Sequence, residues 1–447
     1  MDLLRGAIGL LLILGVAFLL SNNKKRINWR LVISGMLLQF VFAIFVIKGD
    51  SIRHFFAPLG WVKDFFNILS YLFVLILNFT NEGAKFVFGP LANSPGQENS
   101  FGMIFAFQVL PTIIFFASLM SILYYIGFMQ KVVQAMARVM AKVMGTSGAE
   151  SLSVSANIFV GQTEAPLAIK PFIKGLTNSE LLTVMIGGMA TIAGGVMAAF
   201  IQILGSSYAQ RLGIPLIEAQ QLFATHLLGA SVMAAPAALV ISKILSPEIS
   251  EPETKGTVKI HVEKNASSIV EAAANGAGEG LTLALNVGAM LIAFIALIAL
   301  VNYLLEWFGG AVGLNPILIE AYGKPLNFQL MIGFVLQYLA YGIGVPWQDS
   351  LNFGSLIGTK IVLNEFVAYL DLGTMIQNKT ILSEKAILMA TYALCGFANF
   401  SSIAIQIGGI GPLAPSRKAD IAQLGLRAII GGSLATLTTA TLAGILF

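Results

Sequence analysis

From Leu152 to Phe172 the chain is largely apolar, yet it carries a carboxylate, Glu164, beside an amide and a hydroxyl in Gly161-Gln162-Thr163-Glu164-Ala165-Pro166. An ionisable group at membrane depth costs about 2.5–3.5 kcal/mol or more, so such a residue faces a partner or a water-lined pathway rather than lipid. The stretch Leu363-Asn364-Glu365-Phe366 repeats the device in the C-terminal half. Composition supplies the membrane: 57% of the 447 residues are hydrophobic, only 11% are charged, and the mean hydropathy is +0.83. Too few charges remain to cover a soluble domain. A span needs about 20 apolar residues, so the chain holds roughly eight full crossings plus shorter pieces. The single Cys395 rules out an intramolecular disulfide, and His54, His226 and His261 are too scattered for a histidine metal centre. A net charge of +4 requires no nucleic-acid partner, because loop lysines and arginines are what membrane topology demands.

Taken in order, Leu3–Leu20 is a first span, and its basic cluster Lys24-Lys25-Arg26 follows the apolar run, as in a retained helix rather than a signal peptide. Leu31–Ile47 crosses back. Gly49–Phe66 mixes charges with aromatics and reads as an interfacial helix, and Ile68–Phe88 as a long helix lying on the surface. Phe101–Phe128 spans, and Val132–Met144 is an amphipathic interfacial helix. In Ser151–Lys174, Gly161 and Pro166 in the middle argue for a re-entrant helical hairpin with its tip at depth. Ser179–Leu204 is a span whose glycines, Gly187, Gly188, Gly194 and Gly195, permit a break. Leu222–Leu245 spans, Ser246–Asn265 is a polar cytoplasmic loop, Ser267–Gly280 suits the interface, and Leu281–Leu305 spans. Phe328–Ile343 is a further interfacial helix, Leu351–Leu372 a second hairpin, Ser383–Ile407 a span interrupted around Asn399, and Leu424–Phe447 the last.

Hairpin, broken helix and helix thus occur twice, in 151–245 and 351–447. An odd number of crossings between the copies gives them opposite orientation, the inverted-repeat plan of secondary transporters. Basic residues such as Lys24, Lys131, Lys142, Lys255 and Arg417 fall on the loops this topology makes cytoplasmic, with both termini outside. The predicted fold is an all-α membrane protein of about eight spans, with two re-entrant hairpins and interfacial helices.

Broken helices offer free amides at half-helix N-termini and free carbonyls at C-termini. Glu164 and Glu365 add strong acceptors, Gln162, Asn364 and Asn399 two-way amides, and Thr163, Ser401 and Ser402 hydroxyls. Two carboxylates repel a phosphate or dicarboxylate but accept from sugar hydroxyls or ring NH groups, so the set suits a neutral, multiply hydroxylated solute. Phe366, Phe397 and Phe400 are candidates for an apolar face beneath a ring. Asn157, Thr163 and Thr191, with the carbonyls of Val160 and Ile192, are hard oxygen ligands of the kind sodium accepts. Against this stand plainer readings: Thr191 and Ser402 as groups that only satisfy backbone at the breaks, Val196 as core, Cys395 and His226 as packing.

At these residues the chain resembles the concentrative nucleoside transporters in their shorter bacterial form. The likeness runs over essentially the whole chain and rests on Ile27-Asn28-Trp29-Arg30, Gly161-Gln162-Thr163-Glu164-Ala165-Pro166-Leu167, Val362-Leu363-Asn364-Glu365-Phe366-Val367-Ala368-Tyr369 and Cys395-Gly396-Phe397-Ala398-Asn399-Phe400-Ser401-Ser402-Ile403. The resemblance implies a homotrimer in the inner (plasma) membrane, importing a uridine-like nucleoside with sodium as the coupling ion and no other cofactor. It implies a scaffold in residues 1–128 and 247–310, and a transport domain in 129–246 and 311–447 that moves as an elevator. It places Gln162, Thr163, Glu164 and Val196 at the nucleobase, Glu365, Asn399 and Ser402 at the ribose hydroxyls, and Phe397 nearby. Its sodium site maps to Asn157, Val160, Thr163, Thr191 and Ile192; Thr191 stands where some relatives have serine, and the hydroxyl ligand survives. The alternatives are a proton-coupled nucleoside symporter and a sodium-coupled carrier of another polar solute. A dicarboxylate carrier is expected to carry cationic tips instead of glutamates. An intramembrane hydrolase using Glu164 and Glu365 as acid and base lacks a serine beside a histidine, a histidine-metal motif or paired aspartates, so the chain is read as no enzyme.

Overall fold

The computed structural model describes residues 2–49, 53, 60–93, 99–102, 104–256 and 266–447. Half of the interfacial helix expected at 49–66, with His54, lies outside the described residues. So does the loop segment 257–265 with Lys259, His261 and Lys264.

The described residues are helical and contain no strand. Helices α1 (Asp2–Leu19), α2 (Trp29–Ile47) and α3 (Gly60–Phe88) open the chain, followed by α4 (Leu110–Tyr125) and the amphipathic α5 (Phe128–Met144). Helix α5 buries Met129, Val133, Ala137, Met140 and Met144 at helical spacing and stops at Gly145, whose φ of 73° is a left-handed cap open to glycine.

The first repeat then begins. Helix α6 (Gly148–Ala156) is started by Ser147, whose side chain accepts from the Glu150 amide while Glu150 accepts from the Ser147 amide. The chain turns through Asn157–Glu164 and returns as a 3-10 helix, Ala165–Gly175. Pro166 at its start and Pro171 inside it cannot donate amide hydrogens, which disfavours a regular α-helix there. Helices α7 (Asn178–Ala190) and α8 (Gly194–Leu212) are the two halves of the expected broken span, and α9 (Leu216–Leu245) completes the repeat.

After α10 (Ile269–Ala311), the short α11 (Leu314–Tyr322) and α12 (Phe328–Gly342), the second repeat runs the same course. Helices α13 (Trp347–Val362) and α14 (Glu365–Gln377) form its hairpin, α15 (Glu384–Leu394) and α16 (Phe400–Ile410) its broken span, and α17 (Lys418–Leu446) its last helix.

Contacts fix the relative direction of the copies. Gly35 of α2 faces Val240 of α9, and Gly229 of α9 faces Val46, so α2 and α9 are antiparallel. Between those levels Gln39 Nε2 donates to Thr439 Oγ1 of α17 at 3.0 Å, whereas Gly431 lies against Leu245. Helices α9 and α17 therefore run in opposite directions, as the inverted repeat requires.

Two expectations need correction. The boundary predicted between Phe66 and Ile68 does not exist: Gly60–Phe88 is one helix, and Gly60–Ala92 is long and apolar enough to cross a membrane. Likewise Ser267–Gly280 is no separate interfacial piece, because Ile269–Ala311 is a continuous 43-residue helix. Its buried stripe Ala272, Gly276, Gly280 and Ala284 recurs every fourth residue and seats α10 on α4. A Cβ at Gly276 would lie 2.7 Å from the Ala117 carbonyl oxygen, and one at Gly280 2.8 Å from the Ile114 Cα. Glycine lets the two backbones approach as membrane helices do, and that packing outweighs its poor helix propensity.

Burial separates the molecule into an inner and an outer part. In their most apolar windows α9 is 94% buried and the last span 78%, but α10 only 17%. The repeats form the core of the described chain, while α10 presents Ile292, Leu297 and Leu300 outward.

Candidate functional site

Both hairpin tips converge on the first turns of α16. That helix starts at Asn399, whose side-chain oxygen accepts from the Ser402 amide at 2.9 Å and from the Ser401 hydroxyl at 2.7 Å. With its oxygen used as the cap, Asn399 has its Nδ2 free for donation, and it donates to Glu365 Oε2 of the second hairpin at 2.8 Å. One turn on, Ser402 Oγ accepts from Gln162 Nε2 of the first hairpin at 3.1 Å. Asn399 and Ser402 thus tie hairpins from opposite repeats to one helical turn.

Each tip is shaped locally. Asn364 caps α14 by accepting from the Val367 amide at 3.0 Å, so Glu365 is the first residue of a helix and its carboxylate sits at the positive end of the dipole. The N-terminus of α16 starts beside it at Phe400. In the first hairpin, Glu164 Oε2 accepts from the Gly161 amide at 3.1 Å, closing the tip on itself. The Phe159 carbonyl accepts from the Gly194 amide at 3.1 Å, joining this tip to the first break. The breaks also touch each other: a Cβ on Gly396 would meet the Met189 carbonyl oxygen at 2.7 Å, so only glycine permits this approach.

The base of the first hairpin is pinned by a buried cation. Lys243 Nζ of α9 lies 2.7 Å from Glu150 Oε2 and donates to Ser179 Oγ at 2.9 Å. Ser147 Oγ donates to Glu180 Oε1 at 2.5 Å, tying α6 to α7. The hairpin is thus anchored at its foot by this ion pair and these hydrogen bonds, and at its tip by the Gly194 amide and the Gln162 side chain.

The sequence-predicted residues do not all share one environment. Gln162, Glu365, Asn399 and Ser402 are buried and joined as described; Val196 is buried in the first turn of α8, and Phe397 is half-buried. Glu164 is exposed, within electrostatic reach of Glu279 on α10 and Tyr124 on α4. Phe366 belongs to the core, its ring 4.9 Å from that of Phe200 in an edge-on arrangement, and cannot underlie a solute ring. Phe400 is exposed. Thr191 Oγ1 donates to the Gly187 carbonyl at 2.9 Å, the plain reading of that hydroxyl, though its lone pairs stay available. Cys395 and His226 pack as expected, His226 Nδ1 lying 3.2 Å from the Tyr392 hydroxyl.

What the arrangement can do is hold a polar solute, with a carboxylate, two carboxamides and hydroxyls on separate elements. Comparison with known proteins gives that geometry its family. Profiles described as "Na+ dependent nucleoside transporter N-terminus" and "Na+ dependent nucleoside transporter C-terminus" match residues 8–91 and 226–444, and one described as "Nucleoside recognition" matches 106–207. The chain is 43% identical to an uncharacterized transporter, YutK, of Bacillus subtilis (strain 168), over 99% of each chain. It is 39% identical to sodium/nucleoside cotransporter 1 of Mus musculus, over 98% of this chain and 63% of that longer protein. The chain belongs to the concentrative nucleoside transporter family. Among solved structures it is similar to CNTnw in an inward-facing substrate-bound state, with a TM-score of 0.85, 37% identity, and 100% of this chain and 98% of that one covered. A variant of CNTnw in an outward-facing state also superposes with a TM-score of 0.85 at 37% identity. As a member of the concentrative nucleoside transporter family, the protein is a multi-pass membrane transporter and not an enzyme.

Sequence reasoning missed Gln406, which is fully buried in α16 and donates to Gln162 Oε1 at 3.0 Å and to the Met185 carbonyl at 2.9 Å. It fixes which way the Gln162 amide faces, leaving Gln162 Nε2 for Ser402. Its position one turn beyond Ser402 was the available signal. Gln406→Leu is expected to raise the KM for nucleoside by roughly tenfold, the worth of one neutral hydrogen bond plus an orphaned acceptor. Maximal uptake should fall less, and concentration series in proteoliposomes check the split.

Proposed function

We propose that this protein imports uridine-like nucleosides across the plasma membrane by sodium symport, as a homotrimer whose two repeats move together against a scaffold. In this reading the scaffold is 1–128 with 247–310, and the moving part is 129–246 with 311–447. The observation that carries it is the double tether at the start of α16, Glu365 to Asn399 and Gln162 to Ser402. A solute seated there would touch both hairpins at once, so its binding would couple their positions.

The ribose would exchange its hydroxyls into the Glu365, Asn399 and Ser402 set, with Phe397 alongside. The nucleobase would lie toward Gln162, Thr163, Glu164 and Val196. Glu164, exposed toward α4 and α10, lies where a solute would pass between moving and fixed parts. The residues Asn157, Val160, Thr163, Thr191 and Ile192 fit a sodium ion. Asn157 donates to the Ser153 carbonyl at 3.1 Å, but its Oδ1 is buried with no hydrogen-bond partner among the described residues. Such an orphan acceptor costs about 1–3 kcal/mol, and a hard cation beside it removes the cost. The ion would firm the first hairpin and raise affinity for the nucleoside, and by reciprocity the nucleoside would raise affinity for the ion. The names of the cotransporter relatives and the two facing states of CNTnw support this reading. The outward-facing apolar surface of α10 suits lipid and neighbouring subunits.

Uptake of labelled uridine into proteoliposomes, competed in turn by cytidine, adenosine and guanosine, tests it. Accumulation above the outside concentration is expected under an inward sodium gradient. Accumulation driven by a proton gradient without sodium would replace the ion, and no competition by any nucleoside would replace the substrate.

A further inference from the structure

Among the described residues Lys360 is the one buried cation in the hairpin arms, and none of this uses it. It lies in the last turn of α13, five residues before Glu365, and is 1% exposed. Among the described residues it makes no ion pair. Its ammonium instead donates to the Ala393 carbonyl at 2.9 Å and to Thr436 Oγ1 of α17 at 3.1 Å, with Glu365 close enough to act on it electrostatically. Helix α15 ends at Leu394, so the carbonyls of its last turn lack helical amide partners, and Lys360 fills one of them. The cation therefore bridges the second hairpin, the second break and α17 through neutral oxygens.

The first repeat has no side-chain cation at the corresponding place. Its hairpin arm ends at Asn157, which leaves a buried oxygen unpartnered beside the tip that bonds to the first break. One copy of the fold thus carries its positive charge covalently and the other leaves an acceptor open. We propose that Lys360 is a permanent tether cation, holding the second hairpin closed on its break without any bound ion, so that ion binding controls the first hairpin alone. The contrast between the repeats rests on the sodium reading above; the tether itself rests on the contacts of the Lys360 ammonium.

In a Cys395→Ala background, a cysteine at Leu363 reports on the second tip and one at Phe159 on the first, both read as maleimide labelling rates with and without sodium. With Lys360 intact, labelling at 363 should be slow and indifferent to sodium, and labelling at 159 should slow when sodium is added. Lys360→Met should speed labelling at 363 by roughly tenfold, the loss of charge-assisted hydrogen bonds, and leave the rate at 159 unchanged. Thr436→Val, which removes one acceptor and keeps the charge, should speed it by a smaller factor and decides the matter alone if the lysine variant does not assemble. An unchanged rate at 363, an equal rise at both tips, or sodium sensitivity at 363 with Lys360 present would overturn the tether. A rate at 159 that ignores sodium would remove the sodium reading while leaving the tether standing.

Discussion

Exchanging Glu365 for Gln is expected to cut uridine uptake by roughly two orders of magnitude or more, since two charge-assisted hydrogen bonds to a sugar diol are each worth about 1.5–3 kcal/mol. The substitution keeps the shape. Asn399 Nδ2, now 2.8 Å from Oε2, can still donate to an amide oxygen, and Asn364 still caps α14 through the Val367 amide. The hairpin should therefore form and the protein should elute from size exclusion as the parent does. What disappears is the negative charge, placed at the start of α14 and beside the start of α16, where two half-helix dipoles favour an anion. A carboxamide presents one acceptor oxygen and two donors, so one of the two ribose hydroxyls would meet a donor instead of an acceptor. Uridine transport within a few-fold of the parent by the assembled variant would move the ribose elsewhere.

Glu365 also shows which parts of the site can be read from a sequence. A carboxylate inside an apolar run marks a functional site whatever its partners, because burying it without purpose is expensive. Gly161, Pro166 and the glycines around Thr191 mark the tips and breaks through backbone chemistry that does not depend on the rest of the chain. The repeat order follows from these marks. The partners do not, since Gln406 and Lys360 act on groups far away in sequence, and nothing local to either predicts the facing acceptor. A lysine between Thr359 and Ile361 reads as a loop or interface charge until the Ala393 carbonyl is seen in front of it. The long helix α10 was illegible for a related reason. Gly276 and Gly280 lower helix propensity locally, and only contact with α4 reveals that the missing side chains are what the packing needs.

The asymmetry between the repeats leads to the second large effect, at Asn157. Asn157→Ala is expected to flatten the dependence of uridine uptake on sodium, with uptake at saturating uridine dropping to near its sodium-free level. Asn157 ends helix α6 in helical geometry, and its side-chain Nδ2 donates only to the Ser153 carbonyl four residues back, so alanine costs the helix little and relieves the orphaned Oδ1. A purely structural role would leave the variant less stable than the parent and just as responsive to sodium. A ligand role separates those two outcomes: thermal stability without sodium stays equal or rises slightly, while the extra stability that sodium gives the parent vanishes, because a ligand that binds only the folded state stabilises it in proportion to its occupancy. Melting curves recorded over a sodium series, beside uptake over the same series, read both quantities on one preparation. If the variant keeps the parent's sodium response in both measurements, the ion is held by other oxygens and the open acceptor in the first hairpin needs another occupant.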